Sequence, residues 1–371
     1  MTVRQETGWT PQPIDDAIAR GVIPGAVLAA GIGSGPPAIR YVAGHAQRDW
    51  HGQRAMSADT IFDLASLTKV VATTPCVLRL IAAGDLGLDD QVQRYLPDFD
   101  GPGKDRVTVR QLLAHTSGLP AFRSYHGRLP GPDPALARAA ALAEPLISAP
   151  GRTCCYSDIG FIVLGELCAA VAGCGLGQLV RELVLDPLGM DGAGYRPAAR
   201  LAGRIAATEH VGGVAKIGVV HDENAEALGG ICGHAGLFGT AADLATYAAA
   251  WAAGESGPAE ALRIPSWLRA EALRCQTDGL GGRRGLGWGL RRDQWDNMGD
   301  GWPATGAGHT GFTGTCLSID PASGMWAVLL TNAVHFGRGP EHSAVGLRKQ
   351  VHAAIAAALL GGAAPVTARH P

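Results

Sequence analysis

The sequence predicts a mixed α/β (α+β) fold: an antiparallel sheet flanked by helices and built from both ends of the chain, with a mainly helical domain inserted between them. Three observations carry this. Two strand-like runs near the N-terminus, 26–31 and 39–43, are split by the turn material Gly33-Ser-Gly-Pro-Pro37, a hairpin signature. Two more near the C-terminus, 314–319 and 325–331, flank the turn Asp320-Pro-Ala-Ser-Gly324. The long middle alternates helical periodicity with loops and shows no comparable pair. We therefore expect a sheet domain from 1–75 and 300–371, a helical domain from 76–299, and the site in the cleft between them.

Taken in order, Pro13 opens a short helix over 14–21. Residues 66–83 have a broad apolar face of Val70, Val71, Val77, Leu78, Leu80 and Ile81, and Gly84 supplies the stop. Residues 85–99 form a loop with one short helix. Thr108 caps a further short helix that ends by Ser117-Gly118. The stretch 119–134 is a Pro- and Gly-rich surface loop. Helical runs follow at 158–172 and 176–185, and 199–235 is irregular. Thr240-Ala-Ala-Asp243 is a capping box opening a helix to about 252. Residues 254–308 are rich in Gly, Arg and Trp with few clear elements, and an Ala-rich helix over 342–360 closes the chain.

Thirty-one basic and 33 acidic residues leave a net charge of −2, with no dense basic patch and no basic amphipathic helix, so neither nucleic acid nor a membrane surface is expected as partner. No eighteen-residue apolar run and no leader-like N-terminus is present, which gives a cytoplasmic expectation. The eight cysteines include no Cys-x-x-Cys pair and are expected as free thiols. The partner to look for is a small molecule in a pocket. The sequence says nothing of oligomeric state.

Several large enzyme classes are excluded by missing signatures. There is no Gly-x-Ser-x-Gly elbow, no His-Glu-x-x-His, no P-loop, and no Gly-x-Gly-x-x-Gly between strand and helix. The positive signal is Ser66-Leu-Thr-Lys69. Residues three apart share one helix face, so the lysine can reach the serine hydroxyl. Lys69 has the neighbours Leu64, Leu67, Val70 and Val71, in a chain with four lysines and twenty-seven arginines. Burial there is expected to lower its pKa and make it a base for Ser66. A helix cap followed by a snorkelling lysine gives the same spacing, so the motif needs company. Tyr156-Ser-Asp158 supplies it at a loop-to-helix junction, where a phenol can shuttle protons. His309-Thr-Gly311 precedes the C-terminal hairpin, where a glycine lets a substrate approach the strand.

In this order and spacing the three segments resemble the penicillin-recognising serine enzymes, the class C β-lactamases, D-alanyl-D-alanine peptidases and β-lactamase-fold esterases. Phe62-Asp-Leu-Ala-Ser-Leu-Thr-Lys69, Thr108-Val-Arg-Gln-Leu-Leu-Ala-His-Thr-Ser-Gly-Leu119 and Gly308-His-Thr-Gly-Phe-Thr-Gly314 all resemble that family's text, and the likeness runs from about residue 12 to 358. It implies a β-lactamase/transpeptidase-like fold and a serine hydrolase working through a Ser66 acyl-enzyme. Ser66 is acylated, Lys69 and Tyr156 share the proton work, His309 lines the cleft, and the backbone N–H groups of Ser66 and Phe312 form the oxyanion hole. Thr310 and Gly311 border the substrate. Asp158 departs from the pattern, since many relatives carry an amide there and a carboxylate cannot donate. It either faces the cleft and favours a substrate amine or caps the helix that follows.

His221-Asp-Glu-Asn-Ala225 and Gly233-His-Ala-Gly-Leu-Phe238 resemble the esterase and amidase branch. Of His221, Asp222, Glu223 and His234 we expect a hydrogen-bonded loop beside the cleft and no metal. No cofactor is implied. Acyl transfer, amide formation, a cell-wall D,D-peptidase and a non-catalytic binding protein are the alternatives.

Overall fold

The structure is a computed structural model describing residues 8–49, 52–127, 133–253 and 258–361. Parts of the expected loops 119–134 and 254–308, the ends of the expected sheet segments, and residues 50 and 51 lie outside the described residues.

One seven-stranded sheet dominates. From edge to edge it runs Gly52–Ala55, Ile39–Asp49, Gly25–Ile32, Met325–Thr331, Cys316–Asp320, Ala307–Thr310 and Gly289–Leu290, every pair antiparallel. The two chain ends meet at its centre, where Leu28 stands opposite Leu329. Alternation splits the central strands between two cores. Ala26, Leu28, Ala30, Met325, Ala327 and Leu329 face the terminal helices Gln12–Ala19 and Val345–Leu359. Val27, Ala29, Trp326, Val328 and Leu330 face helix Ala241–Ala252 and the helical part. Both faces are covered, so the middle strands are apolar throughout.

The expected boundary of the sheet domain needs correcting. Strand Gly289–Leu290 pairs within the sheet, and helix Ala241–Ala252 packs on it. Both lie inside the segment assigned to the insertion. Strand Phe62–Asp63 in turn pairs with Leu237–Gly239, which also pairs with Gly194–Tyr195. His309 does precede the expected hairpin strand, found at Cys316–Asp320, but with Thr310 it lies in a further strand, Ala307–Thr310, where a loop was expected.

The expected helix over 66–83 is broken. A π-helical turn, Lys69–Thr73, precedes the α-helix Thr74–Ala83. Pro75 has no N–H to return to Val71, so the four-residue ladder cannot hold here. Thr74 N–H reaches Lys69 O instead, and the Val70 carbonyl accepts from the Tyr247 hydroxyl. Such turns are frequent at functional sites.

Candidate active site

Ser66 follows directly on strand Phe62–Asp63 through a strained residue. Ala65 has φ of 46°, a left-handed conformation that costs a β-carbon residue about 1 kcal/mol or more. The buried Asp63 carboxylate holds it there, accepting from Ala65 N–H at 2.8 Å and from His221 N–H at 2.6 Å. Burial pushes the Asp63 carboxyl up against the pull of those two donors. The strain turns Ser66 out into a cavity of about 760 Å³ that Tyr156, Asp158, Arg284, His309 and Phe312 also line.

Lys69 is fully buried, and its Nζ donates to Ser66 Oγ at 2.9 Å and to His234 O at 3.1 Å. It also forms an ion pair with Asp158 Oδ1 at 2.7 Å. Burial opposes the ammonium, but the Asp158 charge and then Tyr156 outweigh it, and the group is held above its ordinary value. The direction is opposite to the lowering expected from burial alone. The helix Asp158–Ala172 is capped by Ser157, whose Oγ accepts from Gly160 N–H at 3.0 Å, so Asp158 is not its cap. Asp158 lines the cavity, as expected of a residue facing the cleft, with its carboxylate paired to Lys69.

The Tyr156 ring is gripped on several sides. His115 stacks on it with centroids 4.6 Å apart, His309 lies 5.9 Å away, Lys69 Nζ is 5.0 Å from its centroid, and the Arg284 guanidinium lies 5.4 Å from it. Burial, reinforced by Lys69 and Arg284, holds both histidines well below their ordinary pKa, so both are neutral imidazoles. His115 Nδ1 accepts from Ser157 N–H at 3.0 Å, which places its proton on Nε2. Arg284 pairs with Asp293 at 3.0 Å. Neither His115 nor Arg284 figured among the expected site residues. His115 sits in the quoted 108–119 segment, but Arg284 stands among featureless Gly and Arg.

The turn after strand Ala307–Thr310 is zipped to the segment ahead of the nucleophile. Thr313 Oγ1 donates to Asp63 O at 2.8 Å and Thr315 Oγ1 to Leu64 O at 3.2 Å. A β-carbon on Gly311 would lie 2.6 Å from Leu64 O and 2.2 Å from Thr315 Oγ1. Gly311 is therefore required for backbone packing, a different reason from the substrate approach expected of it. From helix Val345–Leu359, buried Arg348 donates to Gly311 O at 2.9 Å and Thr315 O at 3.1 Å. These ties fix Phe312 relative to Ser66, the two expected oxyanion donors. Thr310 lines the same cavity.

The 221–234 segment forms polar pairs of its own. His221 Nε2 meets Glu209 at 2.7 Å, and His234 Nε2 meets Asp222 at 2.8 Å. Glu223 pairs with Arg338. Asp222 also caps the helix Glu223–Ala227 by accepting from Ala225 N–H. Burial opposes both charges, yet the pair raises His234 well above its usual pKa and depresses Asp222. Asp222→Ala is expected to cost about 3–5 kcal/mol in urea unfolding, because the His234 cation is left buried and alone. The sign of the pH dependence follows. The raised His234 contributes fully below about pH 6.5 and is lost as pH rises through its folded value. The depressed Asp222 contributes above about pH 4 and is lost on acidification.

Residues 12–349 match the family model for Beta-lactamase. The chain belongs to the beta-lactamase family. It is 32% identical over 305 residues to an Escherichia coli (strain K12) protein named "Putative D-alanyl-D-alanine carboxypeptidase", a match covering 74% of this chain and 70% of the relative. A penicillin-binding protein homologue from Caulobacter crescentus has a TM-score of 0.76 at 23% identity, covering 97% of this chain and 99% of the other. EstCE1, described as a hydrolase with promiscuous acyltransferase activity, has a TM-score of 0.69 at 24% identity, covering 92% and 97%. Beta-lactamase-family membership makes the chain an enzyme of the serine hydrolase class, and the expected mixed fold with an antiparallel sheet is the one these structures share.

Proposed function

We propose that this beta-lactamase-family enzyme hydrolyses an ester through an acyl-enzyme on Ser66. The observation that carries the reading is Ser66 Oγ lying 2.9 Å from a fully buried lysine, with a phenol against that lysine, in an open cavity. Burial keeps Lys69 in one place, so the pair needs no rearrangement before reaction. Esters are favoured over amides because Asp158 offers a substrate carbonyl no N–H donor and is already engaged by Lys69. A fluorophosphonate probe should label Ser66 alone, read by intact mass and peptide mapping. Labelling at any other serine would falsify the assignment.

Exposed aromatic surface lines part of the cavity. Phe122, Trp295 and Phe312 line it and remain 45%, 64% and 62% exposed. Large aromatic surface left open beside a nucleophile suits a substrate with a bulky apolar group. Each methylene buried there is worth about 0.8 kcal/mol, about fourfold in kcat/KM. A p-nitrophenyl ester series should therefore climb from acetate to hexanoate. Trp295→Ala and Phe312→Ala should flatten the climb, and a series that is flat in the parent enzyme would remove the apolar substrate class.

A further inference from the structure

We propose that Arg338 is a positioning residue that clamps the Phe312 ring into a fixed wall of the cavity, and so sets how strongly the enzyme prefers esters with long acyl chains. This rests on the ester reading of the cavity and deepens it, by naming the residue that gives the aromatic wall its shape.

The backbone on either side of Phe312 is fixed by Gly311 O, Thr313 Oγ1 and Thr315 Oγ1. Its side chain is largely exposed and is not held by the core. A ring in that position has more than one staggered rotamer open to it. Two contacts bear on it. His221 stacks on it, with centroids 5.7 Å and planes 23° apart, and the Arg338 guanidinium lies 5.7 Å from its centroid. These two contacts are tied to each other. Glu209 Oε2 accepts from Arg338 Nε–H at 2.6 Å and meets His221 Nε2 at 2.7 Å. Arg338 Nη2 donates to Glu223 Oε1 at 2.5 Å. The backbone N–H of His221 in turn holds Asp63, the carboxylate that fixes the turn before Ser66.

A guanidinium suits this place. It is flat, it lies well over an aromatic face, and its separate N–H groups serve two carboxylates at once. Those carboxylates come from different parts of the chain, Glu209 just ahead of strand His210–Val211 and Glu223 at the start of helix Glu223–Ala227. Arg338 is partly exposed, so its ion pairs add little to stability. Their geometry is what counts, because an arginine held at two points cannot turn away from the ring. Once released, the Phe312 ring is free to swing across the cavity it now walls. Short acyl groups barely reach that wall, whereas long ones lose apolar contact. The effect therefore falls on chain-length preference and not on attack by Ser66. Arg338 also lines the cavity, so direct contact with the substrate is the competing role that the experiment must separate.

The measurement is the ratio of kcat/KM for p-nitrophenyl hexanoate to that for the acetate, in which any loss of folded enzyme cancels. Arg338→Ala should lower this ratio at least about tenfold, the loss lying in a raised KM for the hexanoate. In a Phe312→Ala background Arg338→Ala should leave the ratio where it is, because the ring it acts through is gone. An unchanged ratio in Arg338→Ala alone overturns the proposal. So does an equal fall in the Phe312→Ala background, which assigns Arg338 to the substrate itself. A second readout needs no turnover. The chain has seven phenylalanines, so 4-fluorophenylalanine labelling of the full protein gives a countable ¹⁹F spectrum, in which Phe312→Leu assigns the Phe312 signal. That signal should move towards the unfolded-chain value in Arg338→Ala, and a signal that stays in place removes the clamp. Absence of ester turnover in the parent enzyme would defeat the hydrolase reading instead, and the ¹⁹F spectrum would still decide whether Arg338 holds the ring.

Discussion

Replacing Ser66 with alanine is expected to lower turnover of an activated ester by at least about a thousandfold, because nucleophile and proton carrier act as a unit. Folding should be untouched. Ser66 is half-buried at a cavity wall, its hydroxyl accepts one hydrogen bond from Lys69, and the strained turn that presents it is held by Asp63 and Thr313, not by the hydroxyl. The measurements are kcat on p-nitrophenyl butyrate, intact mass of the trapped acyl adduct, and the melting temperature. Turnover above about one per cent of the parent value with no adduct would place the nucleophile elsewhere.

Tyr156→Phe should be nearly as severe, with kcat falling about a hundredfold to ten-thousandfold, the usual worth of a positioned proton carrier. The ring contacts with His115 and His309 survive the change, so the loss reports on the hydroxyl alone. Neither imidazole can stand in for it, since burial beside Lys69 and Arg284 holds both well below the ordinary histidine range. It follows that the parent enzyme's pH–rate profile should carry no limb near pH 6.5, the unperturbed histidine value. Comparing kcat and the profile in both proteins checks the two statements together. A variant that kept a tenth of the activity would return the proton work to Lys69.

Much of this site is legible in the sequence because its chemistry is written in short local patterns. Ser66 and Lys69 are one helical turn apart, and Tyr156 stands just before a helix that Ser157 caps and Gly173 ends, with apolar positions throughout. The sheet is legible at its centre, where long apolar runs flank glycine turns. It is not legible at its edge, since the two residues of strand Gly289–Leu290 carry no period of their own. The π-turn hides inside an apolar helical pattern, and only the coincidence of Pro75 with a distant Tyr247 produces it. Arg284 and Arg348 are invisible for a related reason: in a chain with twenty-seven arginines, nothing local separates a buried guanidinium from a solvated one. The pairing of Lys69 with Asp158 is not legible either, because the partner lies 89 residues away, beyond any local count of neighbours.

The seam between residues 63–65 and 311–315 has a consequence for the order in which the molecule is made. Its two sides leave the ribosome roughly 250 residues apart, and the arginine that braces it comes from the last helix. Contacts so distant along the chain form late, after the loop between them has closed. At the synthesis rates typical of cells, about 5–20 residues per second, Ser66 waits many seconds before its oxyanion partner exists. A nascent chain carrying every residue of the 66–158 machinery is therefore still inert towards esters, and reactivity arrives only once the segment through Arg348 has emerged. Shortening the protein by its final helix, even where the rest folds, should return it to that silent state.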